Sequence, residues 1–488
     1  MGPRSERKPF GTACLLCFSL LVFWAAVVAA GETPPANTAQ ADQPMAVDGP
    51  KDNARDLIQI YRLARESDPS FQRDRYLHEA SPETYTQALA GYLPTLSAEA
   101  NYRRTRQELI STDIAVYGSG TADYPSNSWS LKLTQPILQY ALWQRISQAK
   151  EAVRKADFEF AAAQQDIILR VAETYFNALK AYDNLDFTRS KEASLTLTFE
   201  LAQQRYESGL ASITDFYDAK ARLASVMAEK VRAENTLADA LEALAEVTGQ
   251  EVFRIAKLKY AVMPKDVAVG EATQGLPMVN PDPDDMDVWI ETALKDNVAI
   301  LAKRQAVEVA KNEIKMQKGG HWPELNMVGR TGQDYEGGSL FGGKSDVRKT
   351  EAMLEVSVPI YSGGAVSSRT REAQKLFQAA EQDLIKEIRR IRREGKDAFL
   401  GVKSAIENTA ALHQSVMANQ VSVEAKKEGF KSGLFPSVAV LDAERDLFLA
   451  KMAYAEAHYQ YILNSLRLKR AVGSLDETDL GEINKWLE

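Results

Sequence analysis

The sequence predicts a mainly helical protein of two tandem halves, each combining a pair of very long helices with a pair of strands suited to a membrane. Three observations predict it. One segment occurs twice without a gap, its apolar residues recur in heptads, and shorter stretches ahead of each copy alternate apolar and polar residues.

The first copy runs from Arg205 through Gly209, Asp218 and Leu244 to Gly249. The second runs from Gly429 through Gly433, Asp442 and Leu468 to Gly473, each position 224 residues further on. A constant offset implies a rigid element whose length matters. Within it Phe216, Leu223, Leu237 and Leu244 keep one seven-residue register, with Lys230 its single polar member. Val440, Leu447, Tyr454, Tyr461 and Leu468 hold the equivalent places. Heptads with charged flanks predict long helices packed side by side, although an ordinary amphipathic bundle helix shares the periodicity.

The chain opens with basic Arg4, Arg7 and Lys8, an apolar run from Ala13 to Ala30, and small residues at Val28-Ala29-Ala30. Residues 1–30 thus read as a secretory signal peptide, or as an uncleaved anchor, since the run is long enough to span a bilayer. Both cysteines, Cys14 and Cys17, fall inside it, leaving the rest without disulfide or thiol nucleophile. Its loss, with Glu6, takes the formal charge from −8 to −10. Such acidity argues against nucleic acid as a partner. No later apolar run reaches about 18 residues, so any further membrane crossing must use strands.

Residues 31–50, rich in Ala, Pro, Thr and Gln, read as a disordered lead-in. Two repeats follow, 51–250 and 285–474, because Gly91-Tyr-Leu-Pro-Thr-Leu96 returns as Gly320-His-Trp-Pro-Glu-Leu325. Each begins with a helix and turns to period-two alternation. Leu96, Ala98, Ala100 and Tyr102 alternate with polar neighbours, as do Trp129, Leu131 and Leu133 in a hairpin at 95–135. Leu325 and Met327, then Ala352, Leu354, Val356 and Val358, do so in a hairpin at 323–360. About 9–11 residues per strand is the length that crosses a bilayer when tilted. Loops are expected at 107–126 and 333–349. Tyr92, Tyr140, Trp143, Trp322 and Tyr361 gather at the helix-side ends, as an interfacial girdle would.

Strand is expected to yield to helix at Pro136 and Pro359, since proline suits a first helical turn. Long helices follow at 138–249 and 365–473. The first has no proline or glycine up to residue 208, some 70 residues or roughly 100 Å. Residues 251–284 break the periodicity and link the halves, and 475–488 form an acidic tail. Four strands cannot close a membrane barrel alone, and an open edge in hydrocarbon costs several kcal/mol per unpaired group. The protomer must associate: two copies give eight strands, three give twelve.

With these residues in view the chain resembles the TolC family of outer-membrane export channels, especially the type I secretion members. The resemblance spans about 51–480. Its most specific pieces are Arg205-Tyr-Glu-Ser-Gly-Leu-Ala-Ser-Ile-Thr-Asp215, Gly320-His-Trp-Pro-Glu-Leu325 and Val440-Leu-Asp-Ala443. It implies a homotrimer with a 12-stranded β-barrel, four strands per protomer, continuous with a long periplasmic α-helical barrel. It implies docking of the helical tips Ser208-Gly209-Leu210 and Ser432-Gly433-Leu434 on a periplasmic membrane-fusion adaptor, served by an inner-membrane ABC or RND-type transporter. Thr214, Asp215 and Asp442 match residues with which the family closes its channel. Phe430, Phe435 and Ala439 depart from its tyrosine, arginine and second aspartate, so an apolar constriction is expected to replace part of the polar closure. Asp215 and Asp442 are expected to keep the narrowest region acidic. His321 matches a family position where the strand begins, and is expected to pack there.

Other motifs carry less. Gly338–Ser345 fits a phosphate-binding loop literally but lacks the buried strand before it and helix after it. His78, His321, His413 and His458 are scattered without metal-ligand spacing, and no catalytic constellation, cofactor site or metal site is apparent. The basic cluster Lys386, Arg389, Arg390, Arg392 and Arg393 suits a solvated helix face. The expected function is a passive outer-membrane exit duct for type I protein secretion, or for multidrug efflux. The alternative is a soluble periplasmic coiled-coil adaptor or scaffold.

Overall fold

A computed structural model describes residues 54–110, 120–210, 212–258, 278–338, 343–432 and 434–488. The expected signal peptide at 1–30 and lead-in at 31–50 lie outside them. In the first repeat, helices α1 (Leu57–Ser67) and α2 (Pro69–Ala90) precede strands β1 (Thr95–Leu109) and β2 (Gly120–Leu138). Helices α3 (Tyr140–Glu207) and α4 (Ile213–Thr248) complete it. The second repeats this order with α5 (Met286–Asp296), α6 (Val298–Gly319), β3 (Glu324–Glu336), β4 (Ser345–Ser357), α7 (Ala365–Lys431) and α8 (Ser437–Val472). Helix α9 (Glu477–Asn484) follows.

The long helices form where expected. Helices α3 and α7 have 68 and 67 residues, about 100 Å at 1.5 Å per residue. Each is too long for one partner and takes two, stacked end to end. Helices α2 and α4 lie along α3, and at the junction between them Ser67, which ends α1, brings its Cβ within 3.1 Å of a Cβ built on Gly249, which caps α4. Helices α6 and α8 lie along α7 likewise. An elbow residue starts each upper partner. Asp68 accepts the Phe71 N–H at 2.7 Å and Arg170 at 2.5 Å. Asn297 accepts from Ala299 and Ile300 at 3.0 and 3.2 Å and donates to Ala471 O at 2.9 Å.

The four strands form one antiparallel sheet in the order β1-β2-β3-β4. Cross-strand partners share a face, so the register sorts side chains into rows. One face carries the rows Leu96–Leu133–Gly329–Ala352 and Ala98–Leu131–Thr331–Thr350, with Met327–Leu354 and Leu325–Val356 below them. The other carries Ser97–Lys132–Arg330–Glu351, Glu99–Ser130–Gly332–Lys349 and Asn101–Ser128–Asp334–Val347. One side suits lipid and the other water. At the helix-side rim Tyr140 stacks on Trp322, ring centroids 5.0 Å apart, while Trp143 and Tyr361 are exposed.

Several expectations need correction. The strands are 13 to 19 residues long and run into the stretches expected as loops. Beyond the apolar band both faces are polar (Arg103-Arg104-Thr105-Arg106), so alternation fades while backbone pairing continues. Pro136 does not start a helix. It sits inside β2 at a register shift, where its missing N–H costs no ladder bond. Pro359 does not start a helix either: α7 begins at Ala365, the bound expected for the long helix, after Gly363 and Gly364 turn the chain with positive φ.

The acidic tail is α9. Leu475, Leu480, Ile483 and Leu487 are buried in the main core, and Lys257 and Glu488 exchange backbone hydrogen bonds. The linker starts inside that core too: Val252, Ile255, Ala256 and Leu258 are buried, and Tyr175 donates to Ala256 O at 2.7 Å. The core thus lies midway along the long helices, among α1, the middles of α3 and α7, the C-terminal halves of α4 and α8, and α9. Residues 259–277 lie outside the description.

Candidate aperture and docking site

The ends of the hairpins α3–α4 and α7–α8 hold every candidate residue. The first turn is a helix cap closed by glycine. Gly209 donates to Tyr206 O at 2.9 Å and Leu210 to Arg205 O at 2.8 Å, with Gly209 at φ +69°. This pair of bonds uses up carbonyls that a helix end leaves free, and only glycine takes that φ without steric cost. At the second turn Leu434 donates to Gly429 O at 2.7 Å and Ser432 to Glu428 O at 3.1 Å; Gly433 lies outside the described residues. Leu210 and Leu434 are 80% and 78% exposed. The turn needs glycine, but nothing in it needs an exposed leucine.

Helix α4 starts on Ser212, whose Oγ accepts the Thr214 N–H at 3.1 Å and also shares a hydrogen bond with the Thr214 hydroxyl. Thr214 is thereby held in its own helix start. Asp215 lies in the first turn of α4, where the helix dipole favours an acid. The Arg205 guanidinium lies 4.8 Å from the centre of the Phe430 ring, a cation–π contact between the hairpins. Phe435 folds back on Gly429, where a Cβ would meet its Cδ2 at 2.3 Å.

A groove of about 830 Å³ runs between α3 and α7 and brings Leu210, Asp215 and Phe430 together. Leu197, Leu201 and Val440 give it an apolar floor, with Lys427, Lys431, Glu424 and Glu428 on its flanks. Thr214, Phe435 and Asp442 lie outside that lining.

Deeper in, polar ties join the hairpins. Asp442 is paired: Arg222 Nη1 reaches its Oδ1 at 3.0 Å, while Arg222 Nε reaches Asp218 Oδ2 at 3.3 Å. Burial works against the charge on Arg222. The hydrogen bond to Asp442 and the fields of Asp218 and Asp442 outweigh it, and the guanidinium pKa is raised. Buried Glu444 accepts Ser194 Oγ at 2.8 Å and pairs with Lys427 at 2.7 Å. Leu195, Val226 and Leu441 form a small apolar cluster between these ties.

Sequence reasoning missed Arg222, Glu444 and the aromatic clasp in which the Phe216 ring lies 5.7 Å from that of Phe199 and 5.4 Å from that of Tyr206, centroid to centroid. A signal existed for the first. Asp218 and Asp442 are equivalent across the repeat, but Arg222 faces the opposite charge, Asp446, at its own equivalent.

Elsewhere, His78 pairs with Asp157 at 2.9 Å, and His458 is buried against the Tyr454 carbonyl. His321 does not pack as expected. It sits exposed in the turn after α6, where its N–H bonds the Lys318 carbonyl. No group of three potential metal ligands occurs among the described residues. In the basic cluster Arg390 is half-buried between Glu387 and Glu394 at 2.5 and 2.7 Å. A strand begins at Ser345, where a phosphate-binding loop would need a helix.

Comparison with known proteins agrees with the fold. A family model described as outer membrane efflux protein matches residues 60–250 and 289–474. The outer membrane protein TolC of Vibrio cholerae is 32% identical over 439 residues, 89% of this chain and 94% of its own. The alkaline protease secretion protein AprF of Pseudomonas aeruginosa is 27% identical, covering 87% of this chain and 85% of its own. Among solved structures, the CmeC outer membrane channel of Campylobacter jejuni superposes with a TM-score of 0.71 at 16% identity, over 88% of this chain and 90% of that one.

Proposed function

This chain belongs to the outer membrane efflux protein family, and we propose that it serves as the exit duct of a type I protein secretion machine. As an outer-membrane export channel it carries cargo for secretion or efflux; the protein cargo is the finer reading. Similarity to a protein named for alkaline protease secretion supports it.

The observation that carries the duct reading is the two-faced sheet with its free edges. Apolar rows on one side and polar rows on the other suit a wall between lipid and water. Strands β1 and β4 each have a neighbour on one side only, and hydrocarbon does not tolerate such edges. Three protomers, pairing β1 of one with β4 of the next, close twelve strands. A soluble adaptor or scaffold would gain nothing from an apolar outer face.

Such a duct works passively. Its helical tips are held together by coil packing and the polar ties around Arg222 and Glu444. An adaptor that sets apolar residues against Leu210, Leu434 and the groove would bind the open arrangement better and shift the population toward it. An inner-membrane transporter would supply the energy, an ABC type for protein cargo and an RND type for drug efflux.

Single-channel conductance in planar bilayers, with mass measured in detergent, tests this. Stable pores from a trimer are expected. A monomer without conductance would sink it. Loss of protein secretion, against a rise in drug sensitivity, on removing the chain from cells separates the two cargoes.

A further inference from the structure

We propose that Arg222 is a built-in counter-ion that occupies the Asp218–Asp442 carboxylate pair, so that the two hairpins are clamped within each protomer and this pair offers no free site to polyvalent cations. The inference rests on reading this end as the channel's aperture.

One guanidinium serves two carboxylates from two different helices. Its Nε faces Asp218 on α4 and its Nη1 faces Asp442 on α8. Arg445 stands 3.7 Å from the same Asp442 oxygen, adding positive charge there. The side chain of Arg222 is only 28% exposed, and the Leu195–Val226–Leu441 cluster lies against α4 and α8 beside it. Solvent screening is weaker in such a place than on an open surface. The two aspartates are the same position of the duplicated segment. Symmetry alone would set two like charges opposite each other across the hairpins. Arg222, with no cationic equivalent in the second repeat, turns that repulsion into a tie.

Without the guanidinium, two partly exposed carboxylates would face each other, with Arg445 as the one cation beside Asp442 among the described residues. Like charges so placed move apart, take up a proton or take up a cation. Arg222→Gln is therefore expected to loosen the tip and to create a cation site absent from the native chain. Arg222→Lys keeps a counter-charge and is expected to create none.

The test titrates hexaamminecobalt(III) into the detergent-purified full chain by calorimetry and records conductance on the same preparations. Circular dichroism and oligomeric mass confirm that each variant folds. Arg222→Gln should bind the cation at least about tenfold more tightly than the native chain, because a carboxylate pair that has lost its shared guanidinium replaces a neutralised one. It should also be blocked by it. Adding Asp442→Asn should abolish both effects, and Arg222→Lys should behave as native. Equal binding by the native chain and Arg222→Gln, or binding by neither, overturns the proposal. If the binding pattern holds but nothing conducts, the clamp stands and the duct reading falls.

Discussion

At equivalent places in the two tips the first repeat carries Arg205 and the second carries Gly429. Both carbonyls close the same turn, accepting from Leu210 and Leu434 at 2.8 and 2.7 Å. What stands on that backbone differs. Arg205 leaves its own hairpin to cover Phe430 of the other, whereas Gly429 offers a bare spot that Phe435 of its own hairpin fills. Duplication preserved the backbone geometry while side chains diverged to make the hairpins unequal. The ties Arg205–Phe430, Arg222–Asp442 and Ser194–Glu444 all run from the first hairpin to the second. The second is thus held by the first, and substitutions in the two should not be equivalent.

The sharpest way to break this inequality is Gly429→Val. A Cβ there collides with the Phe435 ring, and overpacking of this kind costs about 1–3 kcal/mol. Phe435 should be expelled and the second tip cut by protease far faster than the first. Unchanged cleavage would show that Phe435 does not hold that tip.

Acid should sharpen the inequality next. Burial holds His458, 1% exposed on α8, below the usual histidine pKa despite its bond to the Tyr454 carbonyl. The folded chain then binds fewer protons than the unfolded one, so stability rises with pH through that window. It is complete above about pH 6.5 and lost as pH falls toward the depressed folded value, by at most about 1.4 kcal/mol per pH unit for one proton. The equivalent residue in the first repeat is exposed Glu234. Hydrogen exchange in α7–α8 should therefore quicken on acidification more than in α3–α4, and His458→Leu should flatten the difference. Equal acid response of both hairpins would remove His458 as the cause.

Much of this was legible in the sequence, and the limits have physical causes. The long helices and their turns were readable because a gapless 224-residue offset and heptads are local patterns, and they end within a few residues of expectation. The two faces of the sheet were readable as alternation. The strands' polar extensions were not, because outside hydrocarbon nothing forces side chains to alternate. Helix α9 hid behind its acids, although Leu475, Leu480, Ile483 and Leu487 have helical spacing. At the aperture the sequence located the residues but not their partners. Arg222 and Asp442 are 220 positions apart, and no local pattern says which charge will meet which.

Gly209→Ala addresses the part the tips share. Gly209 sits at φ +69° with open space around it, so alanine meets only backbone strain, about 1–2 kcal/mol for a left-handed residue. Protection of the amides at Leu210 and Ser208 should fall while the second tip is unaffected. An effect as large at the second tip would mean that the hairpins respond as one body.

Arg205→Ala separates a tie from a surface charge with the smallest expected effect. The guanidinium is exposed, so its contact with Phe430 is worth about 0.5–1 kcal/mol. Local stability cannot distinguish that from a lost solvated charge, but coupling can. A double-mutant cycle with Phe430→Leu should return most of the Arg205→Ala effect as interaction energy, since leucine keeps the bulk and removes the ring face. The loss should appear as faster exchange in the last turn of α7, on the hairpin that Arg205 does not belong to. Additive effects, or exchange quickened only in α3, would mean that the first hairpin does not brace the second at this point. The inequality of the two tips would then rest on Arg222 and Glu444 alone.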